Sequence, residues 1–226
     1  MPVRPAGAIT VASMARILIA YSTVDGHTRR ICERMQRSLE DAGHAVTLAP
    51  LVAAGHPDVE GFEKVVIGAS IRYGKHRPEV FEFIRRHRQA LDARPSAFFT
   101  VNAVARKAGK DSPEGNPYVR NFRRQTPWRP PLVGVFAGRI DYRKYGFVDR
   151  QVIRFIMWLT HGPTDPNACV EFTDWESVDT FSRRGLRRSA PTRRGAPPPR
   201  PSPGGGGREL RGRRRAGRTC RRSPNP

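Results

Sequence analysis

Three loops carry residue types that could bind a phosphorylated ligand, and the first is rich in hydroxyl groups. It follows an apolar run at residues 17–21 and precedes a segment with helical periodicity. Such a loop can turn backbone N–H groups toward an anion, and the positive end of the following helix dipole adds to the attraction. We assign phosphate binding to Ser22, Thr23, Val24, Asp25, Gly26, His27 and Thr28.

Two common nucleotide-binding motifs are absent from this loop. It does not fit the GxxxxGK(S/T) pattern of P-loop enzymes, and it lacks the GxGxxG turn of dinucleotide-binding domains. For the loop taken alone, a capped strand-to-helix turn that binds no ligand stays open as the alternative.

Two further loops follow apolar runs at residues 65–69 and 97–101. Gly68 and Gly74 would let a ligand approach the backbone closely, and Tyr73 offers a flat ring. An aromatic residue at a strand end more often serves packing, and that interpretation stays open. A phosphate cradle beside a slot lined by an aromatic ring and an amide suits flavin mononucleotide (FMN). The slot residues are Ser70, Ile71, Arg72, Tyr73, Gly74, Val101 and Asn102.

Apolar runs and helical patterns alternate along the chain and determine where these loops lie. Strands are predicted at residues 17–21, 45–49, 65–69, 97–101 and 132–137, and helices at 31–42, 78–91, 118–124 and 148–160. This alternation predicts an α/β three-layer sandwich with a five-stranded parallel sheet covered by helices on both faces. In open sheets of this kind, ligands bind at the carboxyl ends of the strands, where the three loops meet.

Most of the positive charge lies near the end of the chain. The 226 residues carry a formal net charge of +21, and residues 183–226 contribute +14 of it through fifteen arginines and one glutamate. An Arg/Pro/Gly segment of low complexity cannot bury a core, so we expect a disordered tail there, and the abrupt change in composition resembles a shifted reading frame. Residues 1–13 are expected to be a disordered arm or an upstream artefact. Residues 14–182 are left as the folded domain.

Composition also excludes several classes of protein. Cys32, Cys169 and Cys220 lie far apart without a CxxC motif, so neither a zinc site nor a disulfide framework is expected, and no metal is predicted. No apolar run approaches the ~20 residues that span a bilayer.

Several single residues have plainer interpretations. His27 is expected to cap a helix or face solvent, and His76 and His87 are expected to be exposed on or near a basic helix. Asp174 and Glu176 fit a helix cap better than a catalytic pair, and the last helix is expected to be cut short by the change in composition.

The motifs of these loops resemble one family closely. The turn Gly26-His27-Thr28 is similar to the phosphate loop of flavodoxins. More specific strings resemble the bacterial flavodoxin-like protoporphyrinogen oxidases, also called quinone-dependent protoporphyrinogen IX dehydrogenases. These strings occupy residues 65–74, 95–98, 101–102, 104–107 and 173–176. The resemblance covers about residues 14–182 and implies a flavodoxin-like fold that binds FMN.

The resemblance implies oxidation of protoporphyrinogen IX to protoporphyrin IX in haem biosynthesis, with a membrane quinone (menaquinone or ubiquinone) as electron acceptor. The flavin would carry the redox chemistry, and no catalytic acid or base is assigned. Because the substrate is an apolar macrocycle with two propionates, cationic partners are expected, although each could equally be a solvated surface charge. The candidates are Arg106, Lys107, Arg139, Arg143 and Lys144.

Two other functions compete with this one. A flavodoxin-type electron carrier is typically acidic, whereas residues 1–182 carry a net charge of +7, which argues against a carrier. The Arg-rich tail would give salt-sensitive binding to any nucleic acid, and no specific nucleic-acid partner is predicted.

An enzyme that uses a quinone and a porphyrinogen gains from lying on a membrane, since both partition into lipid. Residues 148–160 combine a broad apolar band with Arg150 and Arg154, and Trp158 suits the interface. An ordinary helix that covers the sheet is an equal alternative. The expected location is the cytoplasm, with peripheral attachment to the cytoplasmic face of the inner membrane, and a homo-oligomer is left open.

Overall fold

The computed structural model describes residues 14–52, 57–141, 151 and 169–187. All belong to the first of two compact units, Met1–Pro191, and the second, Thr192–Pro226, lies outside the described residues. The strands are β1 (Arg16–Ser22), β2 (Ala45–Pro50), β3 (Lys64–Arg72), β4 (Lys75–His76), β5 (Ser96–Asn102), β6 (Leu132–Ala137), β7 (Arg139–Asp141) and β8 (Cys169–Glu171). The helices are α1 (His27–Glu40), α2 (Pro78–Arg86), α3 (Arg88–Ala93), a 3-10 turn (Ala103–Arg106), α4 (Pro117–Gln125) and α5 (Trp175–Arg187).

Five parallel strands form the central sheet in the order β2-β1-β3-β5-β6, and β4 pairs with β3 in the antiparallel sense. This is the strand order of flavodoxin-like sheets, and it confirms the predicted sandwich with a five-stranded parallel sheet. The register pairs Ser70 with Val101 and Asn102 with Ala137. The site loops therefore leave neighbouring strands at one edge of the sheet.

Alternating side chains of the buried strands build one apolar layer on each face. Ile17 and Ile19 belong to the layer that includes residues of α1 and α5, whereas Leu18 and Ala20 belong to the layer of α2, α3 and α4. Cys32 is fully buried in the first layer, as expected for a small core residue, and burial raises the pKa of its thiol.

Several elements differ from the sequence expectation. The helix expected at 78–91 is divided into α2 and α3, because His87 leaves the helical region with φ −104° and ψ 19°. The last helix is longer than expected and runs to Arg187, with Val178 and Phe181 buried against the sheet. The helix expected at 118–124 is confirmed as α4, and the cap at Asp174 is confirmed by hydrogen bonds from the backbone N–H groups of Glu176 and Ser177.

Other expectations concern parts of the chain that are not described. The arm at 1–13 and the helix at 148–160, apart from Gln151, lie outside the described residues, as does the tail beyond Arg187. Within the described ranges, no helix has both the length and the apolar character needed to cross a bilayer.

Candidate functional site

The loop between β1 and α1 is folded by its own hydrogen bonds. Gly26 precedes α1 with a φ of 80°, in the left-handed region that favours glycine. Its N–H donates to Thr23 Oγ1 at 3.1 Å, and its carbonyl accepts from the backbone N–H of Arg30 at 3.3 Å. Val24 is exposed at the tip. The turn expected to hold a phosphate is therefore already formed in front of the helix.

Three buried polar atoms at this edge make no hydrogen bond within the described part of the chain. Thr28, in the first turn of α1, is 1% exposed, and its Oγ1 makes no hydrogen bond to a described residue. The same holds for Oγ of Ser70 at the end of β3 and for Nδ2 of Asn102 at the end of β5. Because buried polar atoms are nearly always paired, these three atoms indicate a polar ligand. Two hydroxyls and one amide suit the oxygen and nitrogen atoms of a flavin nucleotide.

Ser22 differs from its neighbours because its hydroxyl is engaged within the protein. Its Oγ donates to Glu79 Oε1 at 3.1 Å, and the same carboxylate oxygen lies 2.6 Å from Nε of Arg77. Glu79 is buried at the start of α2. The hydroxyl of Ser22 thus joins the end of β1 to α2.

The second loop is a hairpin that contacts the first loop through an ion pair. Tyr73 and Gly74 have φ of 49° and 75°, the two successive left-handed residues of a type I′ turn. The guanidinium of Arg72 has one nitrogen 3.6 Å from Asp25 Oδ2 and its central carbon 4.9 Å from the centre of the Tyr73 ring. Ile71 is half-buried below the turn. Tyr73 is 73% exposed, at the tip of the hairpin.

The absence of a side chain at Gly68 makes room for the ring of Phe99 and not for a ligand. A Cβ at this position would lie 2.3 Å from Cζ of Phe99, because the phenyl ring fills the space beside the glycine. The expectation that Gly68 admits a ligand is therefore wrong. Gly74 has no atom within 4 Å of the corresponding point, and its positive φ accounts for the glycine there.

Asn102 fixes the start of the third loop. Its Oδ1 accepts hydrogen bonds from the Ala105 backbone N–H at 3.0 Å and from Nδ2 of Asn116 at 3.4 Å. Oδ1 is thus occupied by protein donors, which leaves Nδ2 to meet a ligand. Val101, immediately before it, is buried in the sheet.

The cationic candidates for substrate binding have different surroundings. Arg106 donates to the carbonyl of Ala103 at 2.7 Å and lies 6.0 Å from the ring centre of Phe172, whereas Lys107 is exposed. Arg139 donates through Nε to Cys169 Sγ at 3.0 Å. Arg143 and Lys144 lie outside the described residues.

His27 is buried rather than facing solvent. Its Nε2 lies 2.6 Å from Oγ1 of Thr173, and that hydroxyl donates to the carbonyl of Ala137 at 2.8 Å. Since the hydroxyl proton of Thr173 is used on Ala137, the threonine oxygen accepts and His27 Nε2 carries the proton. The edge of the His27 ring also meets Trp175, with ring centres 6.2 Å apart. The expectation of a solvent-facing His27 is wrong, because a partner distant in sequence covers the ring.

His76 and His87 are not exposed, contrary to expectation. His76 is 5% exposed, its Nε2 lies 3.0 Å from Thr100 Oγ1, and burial lowers its pKa to about 4. His87 is half-buried against Phe83, with ring centres 4.8 Å apart. The sequence does not indicate the contacts of His76, Thr100 and Glu79, because their partners come from other elements and leave no local pattern.

Comparisons with known proteins identify the family of this chain. The family model for the flavodoxin domain matches residues 18–167. Among solved structures, oxidised Flavodoxin 1 from Bacillus cereus aligns with a TM-score of 0.43 at 10% identity, over 76% of this chain and 95% of that one.

Two curated relatives are more similar in sequence. Protoporphyrinogen IX dehydrogenase (quinone) from Escherichia coli (strain K12) is 40% identical over 168 residues, which are 74% of this chain and 93% of that protein. The protein of the same name from Leishmania major is 42% identical over 168 residues, 74% of this chain and 73% of that protein. The chain therefore belongs to the flavodoxin-domain family of quinone-dependent protoporphyrinogen IX dehydrogenases.

Proposed function

We propose that this chain is an FMN-dependent oxidoreductase of haem biosynthesis that oxidises protoporphyrinogen IX to protoporphyrin IX and passes the electrons to a quinone. The observation that carries the proposal is 40% identity along 93% of a protein with that name. The geometry adds a site for a polar ligand at the carboxyl edge of the sheet.

The residues at this edge suit FMN. The backbone of the first loop, the positive end of α1 and the hydroxyl of Thr28 would hold the terminal phosphate. Arg72 offsets the negative charge of Asp25, which would otherwise repel that phosphate. Ser70, Tyr73 and Asn102 would hold the ring. When bound, the flavin supplies the two-electron redox chemistry, and the protein supplies position and electrostatics.

Cations of the third loop would bind the propionates of the substrate. The side chain of Lys107 is exposed, whereas one NH group of Arg106 already donates a hydrogen bond to the carbonyl of Ala103. We therefore expect Lys107→Glu to raise KM for protoporphyrinogen several-fold and leave FMN affinity unchanged. Lys110→Glu, in the same loop, is the matched control. If neither variant changes KM, the propionates bind elsewhere, with Arg139, Arg143 and Lys144 as the remaining candidates.

Attachment to a membrane surface is part of the proposal, because both the quinone and the porphyrinogen partition into lipid. Its sequence basis is the apolar band at residues 148–160 with Trp158. A chain that ends at Arg187, without most of the basic tail, should still co-sediment with anionic liposomes at low salt. The double substitution of Phe155 and Trp158 by Ser should weaken this binding without loss of flavin. A truncated chain that stays in the supernatant contradicts membrane attachment.

The experiment for the function itself has two steps. The purified full-length protein is first tested for a bound flavin, which is released and identified, and is then assayed for porphyrin formation with a quinone. A protein that binds FMN but gives no porphyrin would be an electron carrier rather than this enzyme.

A further inference from the structure

The hairpin formed by β3 and β4 is strained at its tip. Tyr73 has a φ of 49° and is the one non-glycine residue with a positive φ in the part of the chain that the structure describes. A bulky side chain in that region costs about 1 kcal/mol or more. Only two residue pairs hold the hairpin, Ile71 with His76 and Arg72 with Lys75. A strained turn on so short a ladder needs a further anchor.

His76 supplies that anchor from inside the protein. Its side chain is buried, and its Nε2 lies 3.0 Å from Oγ1 of Thr100 on β5. The ring is surrounded by Phe81, Phe98 and Phe122, whose ring centres lie 6.2, 5.6 and 5.8 Å from its own. The hydrogen bond thus joins the hairpin of the second loop to the strand that leads into the third.

Packing alone does not account for a histidine at this position. Nδ1 of His76 is buried and makes no hydrogen bond to a described residue, which costs free energy. An apolar ring would fill the space among the phenylalanines without that cost. What the imidazole adds is the hydrogen bond to Thr100.

Two other pairs of buried side chains at the same edge of the sheet are also joined by a hydrogen bond. Ser22 Oγ donates to Glu79 Oε1 at 3.1 Å, and Asn116 Nδ2 donates to Asn102 Oδ1 at 3.4 Å. Each pair joins the end of a parallel strand to the layer of α2 and α4. Together with the histidine pair, they fasten each of the three site loops to the protein behind it.

We propose that the His76–Thr100 pair positions the second loop against the third for flavin binding. His76 is a positioning residue, since it acts through the hairpin and not through contact with the ligand. The inference rests on the proposed function, because it takes the carboxyl edge as the flavin site. It requires that loss of this hydrogen bond weakens flavin binding more than a comparable loss elsewhere on β5.

The test compares FMN affinity and thermal stability in variants of the full-length chain. Thr100→Val keeps the side-chain shape and removes the hydroxyl, whereas Thr100→Ser keeps the hydroxyl. Ser96→Ala is the matched control, because Ser96 is also buried on β5 and donates to the carbonyl of Leu91 at 3.1 Å, at the opposite end of the strand. The Kd is measured by titrating flavin-free protein with FMN and following the quenching of flavin fluorescence.

We expect Thr100→Val to raise the Kd for FMN at least about fivefold, and Thr100→Ser to stay within about twofold of the unaltered chain. Ser96→Ala should lower the thermal midpoint and leave the Kd within about twofold. Equal changes in Kd for Thr100→Val and Ser96→Ala overturn the inference and leave the proposed function standing. An unaltered chain that binds no FMN overturns both.

A double variant separates affinity from stability if the single variant folds poorly. His76→Phe with Thr100→Val replaces both polar partners by apolar groups of similar shape, which costs little stability in a buried site. We expect it to keep the thermal midpoint of the unaltered chain and still bind FMN at least about fivefold more weakly. A double variant that binds FMN as tightly as the unaltered chain overturns the inference.

Discussion

The imidazole of His27 donates to the hydroxyl of Thr173 over 2.6 Å, although 146 positions separate the two residues in the chain. Because Thr173 in turn donates to Ala137, one threonine joins the start of α1 to the end of β6 just before α5 begins. The first turn of α1 carries the candidate phosphate loop, so its place depends on a residue near the end of the described domain.

Thr173→Val should therefore destabilise the protein. It removes the Thr173 acceptor of the buried His27 N–H and the Thr173 donor to the carbonyl of Ala137, at a cost of about 1–3 kcal/mol. Urea unfolding at neutral pH measures the change. Ser177→Ala is the control, because it removes an exposed hydroxyl that donates to Asp174 at 2.6 Å, and its effect should be under about 1 kcal/mol. Equal losses in the two variants would show that the buried chain of hydrogen bonds adds nothing.

Thr28→Ala should change ligand binding and stability in opposite directions. The hydroxyl has no protein partner in the described structure, so its removal should leave the flavin-free protein as stable as before or slightly more so. FMN affinity should fall about tenfold, because a donor to the phosphate is lost. Ser38→Ala, toward the other end of α1, is the control and should leave FMN affinity unchanged. An unchanged Kd in Thr28→Ala contradicts the placement of the phosphate.

Gly68→Ala should destabilise the sheet. The added methyl group would meet the ring of Phe99 at 2.3 Å, and the strain should cost about 1–3 kcal/mol. At Gly138 a Cβ would lie 3.5 Å from Cγ1 of Val101 and 3.9 Å from the backbone carbonyl carbon of Asn102, both ordinary contacts, so Gly138→Ala is the matched control. Combining Gly68→Ala with Phe99→Leu should recover part of the loss in thermal midpoint. A stable Gly68→Ala variant would show that β3 and β5 can move apart without cost.

Stability should fall as the solution becomes mildly acidic. Burial lowers the pKa of His76 from 6.5 to about 4, so the fold holds its neutral form while the unfolded chain takes up a proton. The contribution of His76 to the free energy of unfolding is fully present above pH 6.5 and is lost as the pH falls toward 4. About 2 kcal/mol is lost between pH 7.5 and pH 5. Burial also lowers the pKa of His44, which adds in the same direction.

The variant His76→Phe isolates that contribution. Urea unfolding of the flavin-free protein at several pH values should show a loss between pH 7.5 and pH 5 that is about 2 kcal/mol smaller than in the unaltered chain. Identical pH profiles would mean that His76 titrates normally in the folded protein.

The sheet could be predicted from the sequence because its signals are local. The run at residues 17–21 is apolar throughout, as a strand buried on both faces requires, and the other parallel strands read in the same way. Strands β4, β7 and β8 could not be predicted, because a strand of two or three residues is too short to show an alternation of apolar and polar side chains. The full length of α5 could not be predicted, because the arginines from residue 183 onward suggest a disordered tail. In the structure the first of these arginines lie in the last turns of the helix.

The candidate site shows the same contrast between features with local sequence signals and features that depend on long-range contacts. The loops were found from residue types that follow each strand, and Thr28, Ser70 and Asn102 lie at one edge as expected. Their supports, such as the partner of His76, could not be found, because long-range contacts leave no spacing in the sequence. Gly68 was misread for the same reason, since only the fold shows that Phe99 occupies its space.

The most direct test of the central claim is the turnover of protoporphyrinogen IX by the full-length chain loaded with FMN. The reaction is run without oxygen, which would oxidise the substrate by itself, and with a water-soluble quinone as the acceptor. We expect the fluorescence of protoporphyrin to appear only when protein, FMN and quinone are all present, with quinone reduced in proportion to porphyrin formed. A flavin-loaded protein that forms no porphyrin above the rate without protein, or forms it equally without quinone, would contradict the account.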